Sequence, residues 1–290
     1  MIKLTRTEIH CGDESFSAIE GGPPNAIDST PIVFWSHATG FHAAAYRPLL
    51  ERLAERVRIQ ARDARGHGHS LAKASIPLLK TWRPFYNDLI ASLDALPNGV
   101  RVVLAGHSFG ATASVFAAAA RLSRVSSLVL VEPVFYLPGT GTKPRKSLVK
   151  ATSRRRGSFA SLEEACTSYR TRKAFLGLSD EWLKAYVDDA FVQSEGSGYR
   201  LRCSPKWESA CFEANERWPW WAIARANVPA HILVAEQGSS CPKSARRILR
   251  LLQPAWQLSE VAGTTHLLAM ETPDTVFDAI IQAAFPQSAD

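Results

Sequence analysis

Short runs of β-branched and apolar residues recur along the chain, separated by stretches whose apolar residues fall at helical spacing. Residues 31–36 (PIVFWS), 57–61, 100–105, 125–131, 230–235 and 257–261 read as strands. Between them, residues 43–56 carry Leu49, Leu50, Leu53 and Ala54 at helical intervals, and 82–96 is a helix closed by Pro97-Asn98-Gly99. Further helices are predicted over 111–122, 242–252 and 273–285. Such alternation predicts an α/β fold with a mostly parallel central sheet flanked by helices. After Pro133 the texture changes: residues 134–225 hold no strong strand but many aromatics, among them Trp182, Tyr186, Trp207, Phe212 and Trp220. The chain therefore reads as one core domain, residues 1–133 and 226–290, interrupted by a mainly helical cap over 134–225.

Composition changes this picture little. With 290 residues, 46% hydrophobic and 21% charged, the chain suits one large domain with an insertion and not a disordered polymer. No apolar run approaches the ~18 residues of a membrane span. Residues 1–20 are charged throughout and lack the apolar core of a secretory signal, so a cytoplasmic location is expected. Five scattered cysteines (Cys11, Cys166, Cys203, Cys211, Cys241) form no C-x-x-C pair and no zinc spacing; free thiols are expected, with no metal and no cofactor.

The net charge of +7 is concentrated rather than spread. Lys143, Arg145, Lys146, Lys150, Arg154, Arg155 and Arg156 follow one another with no acid among them. No nucleic-acid-binding module accompanies the tract, so it reads as a solvated, mobile loop and not as a nucleic-acid site. The expected partner is a small-molecule substrate. Assembly into a homo-oligomer stays open.

The strongest chemical signal is Gly106-His107-Ser108-Phe109-Gly110, a G-x-S-x-G between a predicted strand and an alanine-rich helix. The glycines permit a sharp turn that exposes the serine. The helix starting behind it aims N–H groups and a positive dipole end at developing negative charge. Together with His37-Ala38-Thr39-Gly40-Phe41, Asp63-Ala64-Arg65-Gly66-His67-Gly68-His69-Ser70 and His266 before the last helix, the motif resembles the α/β-hydrolase superfamily over nearly the whole chain. The order and spacing of these segments are specific for the fold; the superfamily supports many reactions, so they do not name a substrate.

The resemblance implies Ser108 as nucleophile and His266 as its base, because a serine hydroxyl is a weak nucleophile on its own. It implies His37 as a brace of the oxyanion loop and makes a metal pair of His67 and His69 improbable, that segment being structural in the family. His107 is expected to pack beside the turn. The acid departs from the common pattern: Gly238 or Ser239 stands where an Asp is usual, and no aspartate lies between Asp189 and Asp274. Some relatives take the acid from the end of the preceding core strand, which here is Glu132; Glu236 is the alternative. The order Ser108, Glu132, His266 matches the superfamily. Backbone N–H groups of Phe109 and Thr39 are the expected oxyanion donors, with Ala38 a further candidate and the Thr39 hydroxyl an added possibility.

The expected activity is that of a serine hydrolase, carboxylesterase-like, cleaving an ester or related acyl bond of a small to medium apolar substrate through an acyl-enzyme. The alternative is a C–C bond hydrolase or thioesterase of an anionic substrate, which the basic tract would suit. A non-catalytic ligand-binding protein on the same fold is the competing class. Ser108 in place of a nucleophilic Asp argues against a dehalogenase or epoxide hydrolase.

Overall fold

The computed structural model describes residues 2–27, 29–137, 140–214 and 218–286. Strands β1 (Thr5–Cys11) and β2 (Glu14–Gly21) form a hairpin, followed by β3 (Ile32–Ser36), helix α1 (Arg47–Leu53), β4 (Arg58–Arg62) and α2 (Arg83–Asp94). Then come β5 (Val102–His107), α3 (Phe109–Ala120) and β6 (Val125–Val131). The inserted segment contributes α4 (Thr142–Ser153), β7 (Ser158–Phe159), α5 (Leu162–Arg170), α6 (Asp180–Ala190), β8 (Phe191–Gln193), β9 (Tyr199–Leu201), α7 (Pro205–Glu213) and α8 (Trp220–Arg225). The chain ends with β10 (Ala230–Ala235), α9 (Lys243–Leu252), β11 (Gln257–Val261), α10 (Leu268–Glu271) and α11 (Pro273–Ala284).

Eight strands form one sheet in the order β1-β2-β4-β3-β5-β6-β10-β11. From β4 to β11 every pairing is parallel, and β2 meets β4 antiparallel. The central strands are apolar on both faces because helices cover both: every residue of β5 is buried. Alternation along β3 divides the core, with Val33 and Trp35 packing on one side of the sheet and Phe34 on the other.

Helix α3 lies unusually close to the sheet. A Cβ at Gly110 would stand 2.2 Å from the Ser36 carbonyl oxygen, and one at Gly106 2.8 Å from the Gly110 backbone. The alanines that follow, buried along most of the helix, keep that approach possible. The apolar strand runs and helical spacings thus yield the elements they predict, with three additions. The β1–β2 hairpin, half-polar and on the sheet edge, carries no strong apolar signal. Residues 43–46 form a 3-10 turn ahead of α1 rather than its first turn. The insertion also holds a small antiparallel sheet, β7-β9-β8, of strands two or three residues long, too short for periodicity to register.

The insertion is seated on the loop that follows β3. The Tyr186 hydroxyl donates to the Gly40 carbonyl (3.2 Å), His42 Nε2 meets the Tyr186 carbonyl (2.9 Å), and Asp189 accepts from Arg6 (2.6 Å) and His69 (3.0 Å). Its aromatics Tyr169, Phe175, Trp182 and Phe191 extend the core cluster of that side. Helix α8, at the end of the stretch read as cap, packs Trp220, Ala222 and Ile223 into the opposite cluster beside α3. The basic tract is also corrected: Lys143, Arg145, Lys146 and Lys150 ride on helix α4, and of the three arginines at its end Arg155 turns inward while Arg154 and Arg156 stay exposed at the cleft rim. Among the described residues no helix is long and apolar enough to cross a membrane.

The approach of α3 to β3 is testable. Gly110→Ala is expected to destabilise the fold by about 1–3 kcal/mol through overpacking, measured as a lower urea midpoint at unchanged slope. A wild-type midpoint would show that the strand and helix can separate without strain.

Candidate active site

Five loops meet at the carboxyl edge of the parallel strands, where open α/β sheets bind their ligands. Ser108 sits at the turn from β5 into α3 with φ 56° and ψ −117°. Its N–H donates to the Val131 carbonyl (2.8 Å), and its side chain makes no helix-capping bond, leaving the hydroxyl to face the cleft. Among the described residues only two non-glycines have positive φ, Ser108 and Glu132. Strained backbone of this kind persists only where the surroundings over-determine it, and both residues face the same histidine.

His266 Nε2 lies 2.8 Å from Ser108 Oγ, and its Nδ1 lies 3.0 Å from Glu132 Oε2. With Nδ1–H donating to the carboxylate, the Nε2 lone pair points at the serine hydroxyl. The backbone carbonyl of His266 is held by His107 Nε2 (2.7 Å), whose Nδ1 in turn meets the Tyr46 hydroxyl (2.7 Å). Burial, against the hydrogen bond to His266, holds His107 down to about 3, so it braces as a neutral ring. His107 thus packs beside the turn as expected. The Tyr46 link in this chain carries no sequence signal of its own.

Glu132, fully buried, accepts hydrogen bonds from Ala235 N (2.7 Å), Ser239 Oγ (2.6 Å) and Ser240 N (3.0 Å) besides His266. Burial pushes its carboxyl up, but the bonds from His266, Ser239 and Ala235 outweigh it and hold the group at about 2. Two serines at or beside the position where an aspartate is usual, Ser239 and Ser240, thus anchor the glutamate. The Ser239-Ser240 pair was the available signal for this. Glu236 is elsewhere: its carboxylate accepts from Gly263 N (2.8 Å) in an exposed turn and braces that loop.

At the oxyanion loop the Ala38 N–H donates to the Tyr46 hydroxyl (3.2 Å), which removes Ala38 from the donor set. The N–H groups of Thr39 and Phe109 donate to no acceptor among the described residues. The Thr39 hydroxyl is buried without a partner and lines the cleft next to Ser108. His37 Nδ1 bonds the Ala38 carbonyl (2.8 Å) and Nε2 accepts from Ala64 N (2.9 Å), with burial holding the ring neutral. His67 bonds the Arg65 carbonyl (3.1 Å) and His69 bonds Asp189. Among the described residues no group of three or more His, Cys, Asp or Glu side chains is arranged to hold a metal.

This fold and this edge define an α/β hydrolase. A family model for the alpha/beta hydrolase family matches residues 32–279, and the chain belongs to that family. It is 30% identical over 117 residues to monoglyceride lipase of Rattus norvegicus, which is 39% of this chain and 36% of that protein. It is 32% identical over 125 residues to 2-(acetamidomethylene)succinate hydrolase of Mesorhizobium japonicum, 43% of this chain and 44% of that one. The matched stretches thus span less than half the length of these relatives. A solved structure of E-2-(acetamidomethylene)succinate hydrolase superposes with TM-score 0.83 at 20% identity, covering 97% of this chain and 98% of that one. At that identity the likeness speaks for the fold alone.

Three outcomes are expected from this geometry. Glu132→Gln should lower kcat on an ester reporter by about 10³–10⁴-fold, and Glu236→Gln by less than about tenfold; the reverse ranking would transfer the acid to Glu236. Because folding lowers the Glu132 carboxyl from 4.5 to about 2, it stabilises the fold above the higher value and loses that contribution as pH falls toward the lower. The stability gap between wild type and Glu132→Gln should narrow across that window in urea titrations, and a gap independent of pH would contradict the assignment. Separately, Thr39→Val should reduce kcat by about tenfold or more with little change in KM, as loss of a donor used only in the transition state does. An unchanged kcat would leave the backbone N–H groups as the whole oxyanion site.

Proposed function

We propose that the chain is a serine hydrolase that cleaves an ester or related acyl bond through an acyl-enzyme on Ser108. The observation that carries this reading is the unbroken hydrogen-bonded line from Ser108 Oγ through His266 to the buried Glu132 carboxylate. In the acylation step Ser108 Oγ attacks the substrate carbonyl while its proton passes to His266 Nε2. The charge that develops on the carbonyl oxygen is met by the N–H groups of Phe109 and Thr39, with the Thr39 hydroxyl as third donor. His266 then returns the proton to the leaving group as the carbonyl–leaving-group bond breaks. In deacylation His266 takes a proton from water as its oxygen attacks the acyl carbon; the acyl carbon–Oγ bond then breaks, His266 returns the proton to Ser108 Oγ, and the carboxylic acid leaves. Glu132 stays ionised throughout and stabilises the imidazolium.

Residues 134–225 supply much of the cleft's roof, with Leu148, Phe175, Tyr186 and Phe212 facing Ser108; we read them as a cap that shapes the substrate site. The names of the relatives, a lipase and a hydrolase, agree with bond hydrolysis. A ligand-binding role without turnover is disfavoured by the aligned Ser108 and His266, which binding alone does not require. The anionic-substrate alternative gains support from arginines in the cleft.

A fluorophosphonate should label wild-type protein at Ser108, mapped by peptide mass spectrometry, and hydrolysis of short aryl esters should vanish in Ser108→Ala. That variant should fold normally by circular dichroism, since it loses one oxygen atom. Turnover near the wild-type rate in Ser108→Ala would sink the mechanism.

A further inference from the structure

The cleft at Ser108 has two lobes of opposite character. Thr39, Ser108, Leu148, Phe212 and His266 line both, so the lobes meet at the candidate nucleophile. One lobe, about 380 Å³, is walled by Trp82, Phe109, Val134 and Tyr136. The cation lining it, Arg145, donates to the Glu213 backbone carbonyl (3.0 Å). The other lobe, about 510 Å³, is lined by Arg154, Arg155, Arg156 and Arg172 against a single carboxylate, Glu208.

These four arginines are not equivalent. Arg155 is paired with Glu208 and holds the hydroxyls of Tyr169 and Tyr186, so its charge is answered within the protein. Glu208 in turn packs on Gly40, where a Cβ would lie 2.1 Å from its Oε1, and Arg155 thereby fixes the cap to the oxyanion loop. Arg156 pairs with Glu164 (2.7 Å) and lies over the Phe159 ring. Arg154 and Arg172 form no salt bridge among the described residues, and Arg172 acts on Glu208, already paired with Arg155, only through space. The Arg172 guanidinium carbon lies 4.1 Å from the centroid of the Tyr169 ring, a cation–π contact that holds the group at the cavity wall without using its N–H donors in a protein hydrogen bond among the described residues. A protein gains nothing in stability by gathering unpaired cations at a cleft wall, where they repel one another. A planar donor edge next to a second free cation matches a carboxylate.

We propose that the substrate of this site, read as a serine hydrolase, is an acyl compound carrying a carboxylate on one side of the scissile carbonyl and an apolar group on the other. Arg172 and Arg154 bind the carboxylate. The lobe of Trp82, Val134 and Tyr136 takes the apolar arm, and the carbonyl lies between them at Ser108. Arg155 is a positioning residue in this arrangement.

The test compares two reporter series of equal shape: mono-para-nitrophenyl esters of the dicarboxylic acids from succinic to adipic, and the same esters with the free acid converted to an amide. For the acid length that fits, wild-type kcat/KM should favour the acid over the amide by about tenfold or more, since hydrogen bonds to charged groups are the stronger ones. That ratio should shrink with added salt. It should fall by about tenfold in Arg172→Met and in part in Arg172→Lys, with most of the loss in KM, and fall again in Arg154→Gln. Lys150→Gln, on the same basic tract but outside the cavity, should leave the ratio unchanged. Fluorophosphonate labelling of Ser108 runs beside each variant as a check of the nucleophile that does not depend on substrate charge. Labelled wild-type protein with no preference for the acid at any length overturns the charge proposal and leaves the hydrolase reading standing. The same holds if Arg172→Met and Arg154→Gln both keep the wild-type ratio. Absence of labelling in wild type overturns the hydrolase reading and this proposal with it.

Discussion

A buried carboxylate, with no lysine or arginine paired to it among the described residues, sits at the end of β6, and the rest of the site is arranged around keeping it there. Moving such an ion out of water costs several kcal/mol. Glu132 recovers that cost through donors that arrive from three chain segments: Ala235 at the end of β10, Ser239 and Ser240 in the next loop, and His266 after β11. Each bond to a charged acceptor is worth about 1.5–3 kcal/mol, so together they hold the group ionised despite its burial. The same bonds tie three loops into one body and fix which ring nitrogen of His266 carries its proton. Electrostatics and loop geometry are here a single constraint.

The other half of the site is tensioned from the opposite side. The turn at Ser108 is possible because α3 can approach β3 to backbone contact at Gly110, and that approach sets where the Phe109 N–H points. Tyr46 and His107 then connect the oxyanion loop to the histidine loop: Ala38 N–H to the tyrosine, tyrosine to His107, His107 to the His266 carbonyl. His266 is thus restrained through both its ring and its backbone. Such double restraint limits the reorganisation a proton transfer would otherwise need.

Over this frame the insertion contributes charge and shape more than chemistry. Arg155, Tyr169, Tyr186 and Glu208 form a buried polar cluster whose every member has a partner, and it seats the insertion on Gly40. Satisfied polar networks of this kind specify one arrangement of the parts they join. The remaining arginines then face the cleft from a fixed platform, which turns a run of positive charge in the sequence into a directed electrostatic feature of the cavity.

The sheet, its order of helices and the turn at Ser108 were legible in the sequence because they rest on local signals. Strands buried on both faces must be apolar end to end, and a G-x-S-x-G between strand and helix leaves few alternatives for its backbone. Ser108, Glu132 and His266 were nominated the same way, from the strands they follow, and the fold brings the three side chains within hydrogen-bond reach. What the tertiary structure decided concerns atoms far apart in the chain. Only the fold shows that Glu236 turns to Gly263 while Ser239 and Ser240 hold Glu132. Only the fold shows that Tyr46 engages the Ala38 N–H and leaves Thr39 available. The basic tract was read as a solvated loop because sequence carries charge but not direction. Arg155 alone turns inward, because Glu208, Tyr169 and Tyr186, 14 to 53 residues away along the chain, supply the partners that make a buried guanidinium stable.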